Sequence, residues 1–288
     1  MTAHNRTSMR FHILGSSAGK TVPRPFCSCR VCEKARRDGG RDIRTRCSVH
    51  LYLDDEPQGR PRYAIDFGPD LSSNLIRFKC SLDRLEHVVF THAHMDHLET
   101  DLLAIRPSIL SDRSALPTLH LYGSDSVQAK IESACKLDNL NAEFHRVDPF
   151  TTFTAGDVKS STLLANHGPG TALNHIFEHD GKVVLLGWDT GWWSDETWEA
   201  VSDYKFDAVI SECTMLGPSE VEKESRHLNF ATLLEMRLRL MELGCVTDQT
   251  PWATLHIGDN GGLTYDEAVE FAHPHGITVG YDGMWVSV

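Results

Sequence analysis

The segment FTHAHMDHLE, residues 90–99, places His92, His94, Asp96 and His97 within six consecutive positions. Alternate side chains of an extended chain point the same way, so His92 and His94 face one side together. Asp96 and His97 follow where the chain turns towards a helix. One short segment can therefore offer two imidazoles to one metal ion, and a carboxylate plus an imidazole to a second ion beside it. Neutral imidazole and carboxylate suit zinc, manganese and iron rather than soft copper(I). Two such ions about 3.5–4 Å apart can clamp a phosphoryl group and generate hydroxide from water near neutral pH.

The segment cannot complete two sites alone. Three further candidates each follow an apolar, strand-like run: His167 in LLANHGPG, Asp189 in VVLLGWDTG and His256 in ATLHIG. Polar groups at the ends of buried strands suit a site mounted on the rim of a sheet scaffold. The resulting assignment puts His92, His94 and His167 on one ion and Asp96, His97 and His256 on the other. Asp189 lies between them, because a carboxylate has two oxygens to share.

The elements that must position these residues follow from patterning. Strands are expected over 9–15, 47–53, 63–68, 87–90, 118–123 and 142–147. Helices are expected over 70–78, 97–105 and 124–136, the last with Ser124 as its N-cap. Runs 158–167, 172–189 and 208–214 read as successive strands, with HDGK as a hairpin turn. Residues 229–244 carry apolar residues at helical spacing and end on Gly244, a suitable C-terminal cap. A strand at 253–257, a helix over 264–272 and two last strands complete the pattern. Strands that alternate with helices but also run consecutively suit an α/β sandwich of two mixed sheets with helices outside.

Composition narrows the class. The chain has 288 residues, 41% hydrophobic and 24% charged, which is ordinary globular composition. Its formal net charge of −12 argues against broad binding to long nucleic acid or to an anionic membrane. It leaves room for a small phosphorylated substrate held by a few placed cations. No apolar run approaches the roughly 20 residues of a membrane span, and residues 1–8 read as a disordered lead-in to a single domain over 9–288. A cytoplasmic location with reduced thiols is expected. Cys27, Cys29 and Cys32 fall within six residues, and this CxCxxC spacing makes a good three-thiolate corner for tetrahedral zinc. Without a metal the same thiols are redox candidates.

The motif THAHMDHL matches the HxHxDH signature, and the chain resembles the metallo-β-lactamase superfamily, with His167, Asp189 and His256 in the order that family uses. The resemblance implies the αββα sandwich and two active-site divalent metals, manganese or zinc before iron. It also implies that Asp66, at the end of YAIDFG, supports the histidine loop from behind. Within the superfamily, LGSSAGKTVPRPFCSCRVCEKAR, TRCSVHL and the closing GYDGMWVSV resemble the phosphoribosyl cyclic phosphate phosphodiesterases of the carbon–phosphorus lyase pathway. In that family three cysteines and a histidine bind a structural zinc. Here the matching fourth position is Asp259, a departure; His273, His275, His227 and Cys47 are the alternatives. The family also implies that His227, in ESRHLNF, reaches the substrate phosphate as general acid. His227 and the ligand Asp96 are thus the catalytic candidates, and Glu212 in SECT is a supporting residue.

The expected activity is hydrolysis of a small or cyclic phosphodiester by a homodimer. The competing readings are a carboxyl ester, lactone or thioester hydrolase on the same site, and a non-catalytic carrier like the coenzyme PQQ biosynthesis protein B. Substrate choice is expected to sit in loops 106–118 and 213–228. Trp188, Trp192, Trp193 and Trp198 are expected in core or dimer packing. Arg24, Arg30, Arg36 and Arg37 are expected to be solvated unless they hold a second phosphate. His175 and His179 are expected to face solvent.

Overall fold

The computed structural model describes residues 9–54, 56–106, 116–218 and 225–288. The expected lead-in over 1–8 and parts of both expected specificity loops lie outside the described residues. The first sheet contains β1 (Met9–Gly15), β2 (Ser48–Leu53), β3 (Tyr63–Ile65), β4 (His87–Val89), β5 (Leu119–Gly123), β6 (Ala142–Arg146) and β14 (Trp285–Ser287). The second contains β7 (Thr152–Ala155), β8 (Val158–Leu164), β9 (Leu173–His179), β10 (Lys182–Gly187), β11 (Ala208–Glu212), β12 (Trp252–Leu255) and β13 (Thr278–Val279). Their orders are β14-β1-β2-β3-β4-β5-β6 and β13-β12-β11-β10-β9-β8-β7.

Both sheets are mixed in the same way. Pairing is antiparallel from β14 to β3 and from β7 to β10. It is parallel from β3 to β6 and from β10 to β13. Period-two alternation builds the layers. Phe11, Ile13, Val49 and Leu51 meet Phe177, Val184, Leu186 and Ile210 between the sheets. On the outer side of the first sheet lie α2 (Leu71–Arg77), α3 (Asp101–Ala104), α4 (Asp125–Ala134) and α5 (Leu137–Leu140). On the outer side of the second lie α6 (Asp195–Val201), α7 (Phe230–Glu242) and α8 (Tyr265–Ala272). The short α1 (Arg30–Asp38) follows the cysteine loop. This is the αββα sandwich, and no helix among the described residues is long and apolar enough to cross a membrane.

Local chemistry sets several boundaries. Asp180 and Gly181 between β9 and β10 have φ of 47° and 75°, the paired positive values that a tight type I′ hairpin needs. Asn229 and Thr232 form a reciprocal capping box at the start of α7, and Gly244 (φ 73°) ends it. Ser124 stands at the N-cap position of α4 without capping it; its hydroxyl donates to the Thr171 carbonyl instead, at 3.3 Å.

Two expectations are corrected. The helix expected over 97–105 is only Asp101–Ala104. Residues 97–99 are claimed by Phe67, whose N–H donates to His97 O and whose carbonyl accepts from Glu99 N–H, both at 2.7 Å. Backbone pairing to the end of β3 thus holds the histidine loop out of the helix. His175 is buried, not solvent-facing, with its ring 5.8 Å from Phe177 and Nδ1 3.2 Å from Ser160 Oγ. It lies on a central strand covered on both faces, where alternation no longer reports exposure. His179, at the strand end, is half-buried against the Asp157 carbonyl. Trp188 lies in the core between the sheets, and Trp193 and Trp198 lie in the core under the outer helices, with Trp192 packed on that cluster.

Candidate metal centre and cleft

The candidate ligands come from strand ends on one rim. The loop after β4 carries His92, His94, Asp96 and His97, while β8, β10 and β12 lead into His167, Asp189 and His256. The chain bends sharply at two of these ends and after the neighbouring β3: Asp189 and His256 have φ of 52° each and Asp66 has φ of 59°. Left-handed backbone is uncommon for residues other than glycine and costs roughly 1–3 kcal/mol each. Such strain persists where surrounding structure imposes it, and here it turns all three side chains to the rim.

The side chains converge around Asp189. Its Oδ2 lies 2.7 Å from His97 Nε2 and 3.2 Å from His92 Nε2, and its Oδ1 lies 3.1 Å from His256 Nε2. Asp96 Oδ2 is 3.4 Å from His97 Nε2 and 3.7 Å from His256 Nε2. His94 Nδ1 and His167 Nε2 face each other at 3.0 Å. Two groups emerge, His92, His94 and His167, and Asp96, His97, Asp189 and His256, each with ligand atoms mutually within 4.8 Å. The structure brings all seven candidate residues together around Asp189.

A matched pair of relays aims the rings. Asp66 accepts at Oδ1 from Thr91 N–H (2.8 Å) and at Oδ2 from the Thr91 hydroxyl (2.8 Å), His97 Nδ1 (2.7 Å) and Trp188 Nε1 (3.1 Å). The Thr91 oxygen in turn takes His92 Nδ1 at 3.0 Å. On the second sheet, Glu212 accepts the Thr214 hydroxyl at 2.7 Å, and Thr214 Oγ1 meets His256 Nδ1 at 2.8 Å. Occupying Nδ1 in this way leaves Nε2 as the outward, ligating nitrogen of His92, His97 and His256. Glu212 also accepts from Thr190 N–H (2.6 Å), Leu228 N–H (3.0 Å) and Thr214 N–H (3.2 Å).

The donor set fits divalent cations. Asp66, Asp189 and Glu212 are almost wholly buried and Asp96 mostly so, yet none is ion-paired to a lysine or arginine among the described residues. Buried carboxylates without compensating charge are costly. His92 Nε2 and Asp189 Oδ1 are buried without a hydrogen-bond partner, and both point into the cluster. Burial lowers the His92 pKa to about 4, which keeps the imidazole in the neutral form that ligates metal.

The centre floors a cleft of about 390 Å³ lined also by Gly19, Lys20, Arg24, Thr214, His227, Gly258 and Asn260. His227 Nδ1 is 3.1 Å from Glu212 Oε1 and 3.4 Å from Asp189 Oδ1. Burial disfavours its charged form, but Glu212 and then Asp189 and Asp96 outweigh this and raise its pKa to about 9. Cations at the two aspartates would offset part of that pull.

The cysteine loop forms one lip of the cleft. Cys27, Cys29 and Cys32 group with Asp259, whose Oδ2 is 3.6 Å from Cys32 Sγ and 4.0 Å from Cys29 Sγ. Backbone N–H groups of Cys29 and Arg24 donate to the Cys27 and Cys32 sulfurs at 3.4 and 3.3 Å. This set could hold a structural zinc. Of the alternative fourth partners, His227 lies in the cleft, Cys47 in the inter-sheet core, His273 at the C-terminal cap of α8, and His275 against Phe230. Arg24 pairs with Asp259 and donates to Asn260 Oδ1 at 2.6 Å, which sets its guanidinium at the cleft. Arg30 pairs with Glu267, Arg36 with Glu33 and Arg37 with Asp38, away from it.

Sequence reasoning did not find Thr91, Thr214 and Trp188 as supports of the ligands, nor Lys20 as a wall of the cleft. The adjacency of Thr91 to His92 was a usable signal; the roles of the others depend on contacts between distant segments.

A family model described as the beta-lactamase superfamily domain matches residues 62–273. No curated protein matches in sequence. Among solved structures, a diphosphatase from the PhnP family superposes with TM-score 0.74 at 20% identity over 97% of both chains. Zinc-bound PqqB from Methylobacterium extorquens gives 0.70 at 15% identity over 97% of this chain and 100% of that one. The short form of human tRNase Z gives 0.65 at 16% identity over 97% and 99%. At these identities the structural likeness speaks for the fold, while the family match over most of the sequence shows that the chain belongs to the beta-lactamase superfamily.

Proposed function

We propose that this metallo-β-lactamase-fold hydrolase is a dinuclear phosphodiesterase acting on a small or cyclic phosphodiester, with a phosphoribosyl cyclic phosphate as the leading substrate class. The observation that carries this reading is the complete ligand set beneath a cleft whose wall holds two cations, Lys20 and Arg24. Likeness to a PhnP-family diphosphatase supports it. A volume of about 390 Å³ lies within the roughly 300–1,000 Å³ of small-molecule sites.

His92, His94 and His167 would hold one ion, and Asp96, His97 and His256 the other, with Asp189 shared. When bound, such ions neutralise phosphoryl charge and acidify a water. The chain's own residues do the remaining work. Thr91, Asp66, Thr214 and Glu212 fix the imidazole tautomers. Lys20 and Arg24 attract a dianionic substrate and orient its second charge. His227, with Nδ1 engaged by Glu212, has Nε2 left to hand a proton to the departing oxygen. Cys27, Cys29, Cys32 and Asp259 would bind a structural zinc that holds Arg24 and Lys20 in place.

The test is Asp189→Ala assayed on bis(p-nitrophenyl) phosphate alongside lactone, carboxyl ester and thioester substrates. The variant should lose turnover and active-site metal together, and wild-type protein should prefer the phosphodiesters. Full activity of Asp189→Ala would sink the ligand assignment. Turnover confined to the carboxyl substrates would sink the reaction class.

A further inference from the structure

A second group of ligating side chains lies away from the rim, on the outer face of the first sheet. His12 on β1 and His50 on β2 are cross-strand partners in the pairing register. Their neighbours Phe11, Ile13, Val49 and Leu51 face the inter-sheet core, so His12 and His50 point together to the opposite side. Cys80, just after α2, closes over them. One ring nitrogen of each histidine and the Cys80 sulfur lie within 4.8 Å of one another.

The polar atoms here are unusually poor in partners. His50 is 0% exposed, and neither of its ring nitrogens has a hydrogen bond. His12 is 5% exposed and its Nδ1 is likewise unpartnered. A neutral imidazole carries one donor and one acceptor, and each left unmade in a protein interior costs the full desolvation of that group. Native proteins rarely leave three such atoms in one place. The surroundings are also rigid. His12 is stacked on Trp285 at 4.2 Å with the rings 4° from parallel, and Phe78 meets its edge at 5.4 Å.

From this geometry we propose that His12, His50 and Cys80 form a further zinc site, separate from the dinuclear centre and from the cysteine loop. Two imidazoles and a thiolate are a borderline-soft N/S set that suits tetrahedral zinc. Bond lengths of about 2.0–2.3 Å bring ligand atoms to roughly 3.5 Å apart, a small adjustment from atoms that already lie within 4.8 Å of one another. The Cys80 thiol donates to the Phe78 carbonyl at 3.6 Å, and zinc displaces that proton to solvent as the thiolate ligates. The ion ties β1, β2 and the segment after α2 into one unit. Such a clamp steadies the outer face of the sheet that carries Asp66 on its next strand.

The test counts zinc by elemental analysis after chelator stripping and refilling with zinc alone. Cys80→Ser, a change at a half-buried position, should bind one equivalent less than wild type and keep its turnover of bis(p-nitrophenyl) phosphate. Equal zinc in the two proteins overturns the proposal. A second measurement uses the wild-type chain, so it does not depend on a variant folding. Iodoacetamide should label Cys80 in the stripped protein, and refilling with zinc should suppress that label as mapped by peptide mass spectrometry. Labelling of Cys80 at the same rate with and without zinc overturns it equally.

Discussion

Asp66→Asn isolates the relay behind the metal centre without emptying the site of side chains. The carboxylate accepts one hydrogen bond at Oδ1, from Thr91 N–H, and three at Oδ2, from Thr91 Oγ1, His97 Nδ1 and Trp188 Nε1. An amide has only one acceptor atom. Its better orientation keeps the oxygen towards the three donors and sets its NH₂ against Thr91 N–H. That buried N–H is orphaned, at about 1–3 kcal/mol of stability. At roughly 2–4 °C per kcal/mol for domains somewhat smaller than this one, the melting temperature should fall by several degrees. The bond to His97 survives but loses its charge, and charge-assisted bonds are roughly twice as strong as neutral ones. His97 then becomes a weaker and less firmly aimed ligand. Changes behind metal-bound histidines typically cost 10–100-fold in metal affinity or activity, which is about 1.4–2.7 kcal/mol at 1.36 kcal/mol per tenfold. Competition with a zinc chelator at a temperature where circular dichroism shows the variant folded would measure the first loss. Phosphodiester turnover at saturating metal would measure the second. Asp66→Asn with wild-type zinc affinity would refute the idea that this carboxylate aims His97.

His227→Ala should keep its metal content while turnover falls by about 10²–10⁴, the usual contribution of a general acid; the loss should be larger for alkyl than for p-nitrophenyl leaving groups, and an equal loss for both would remove the acid role. Asp259→Ala should release one zinc and raise KM for substrates bearing a second phosphate, because Arg24 loses its anchor, whereas Asp259→His should retain the zinc. Acid should destabilise the fold: burial lowers the pKa of His87 and His175 to about 4 from 6.5. Between those values the unfolded chain binds the protons and the folded chain does not, so stability is intact above about pH 6.5 and falls towards pH 4. The slope is about 1.4 kcal/mol per pH unit for each histidine, and metal-free protein melted across this range should show it; a flat profile would contradict the burial argument.

The beta-lactamase superfamily fold was legible because its layers rest on alternation and on turn residues such as Asp180 and Gly181 that act over a few positions. The candidate metal ligands were legible for a related reason: a polar residue directly after an apolar strand announces itself at His92, His167, Asp189 and His256. Alternation misled at His175, where a strand buried on both faces gives the same pattern as one facing water. The helix expected through His97 gave way to pairing with Phe67, thirty residues earlier in the chain.

The sequence by itself determined that one loop and three strand ends would carry the candidate metal ligands, because spacing along a strand decides which way neighbouring side chains point. Only the tertiary structure decided which atoms those ligands turn inwards. Asp66 meets Trp188 across 122 positions, Glu212 meets Thr214 and His227 across 2 and 15, and Thr214 meets His256 across 42, and most of these distances leave no local pattern to read. The same holds for Asp259 beside the cysteines and for Cys80 over His12 and His50. Hydrogen bonds and ion sites depend on separations of a few ångströms in space, and a folded chain sets those by packing two sheets face to face.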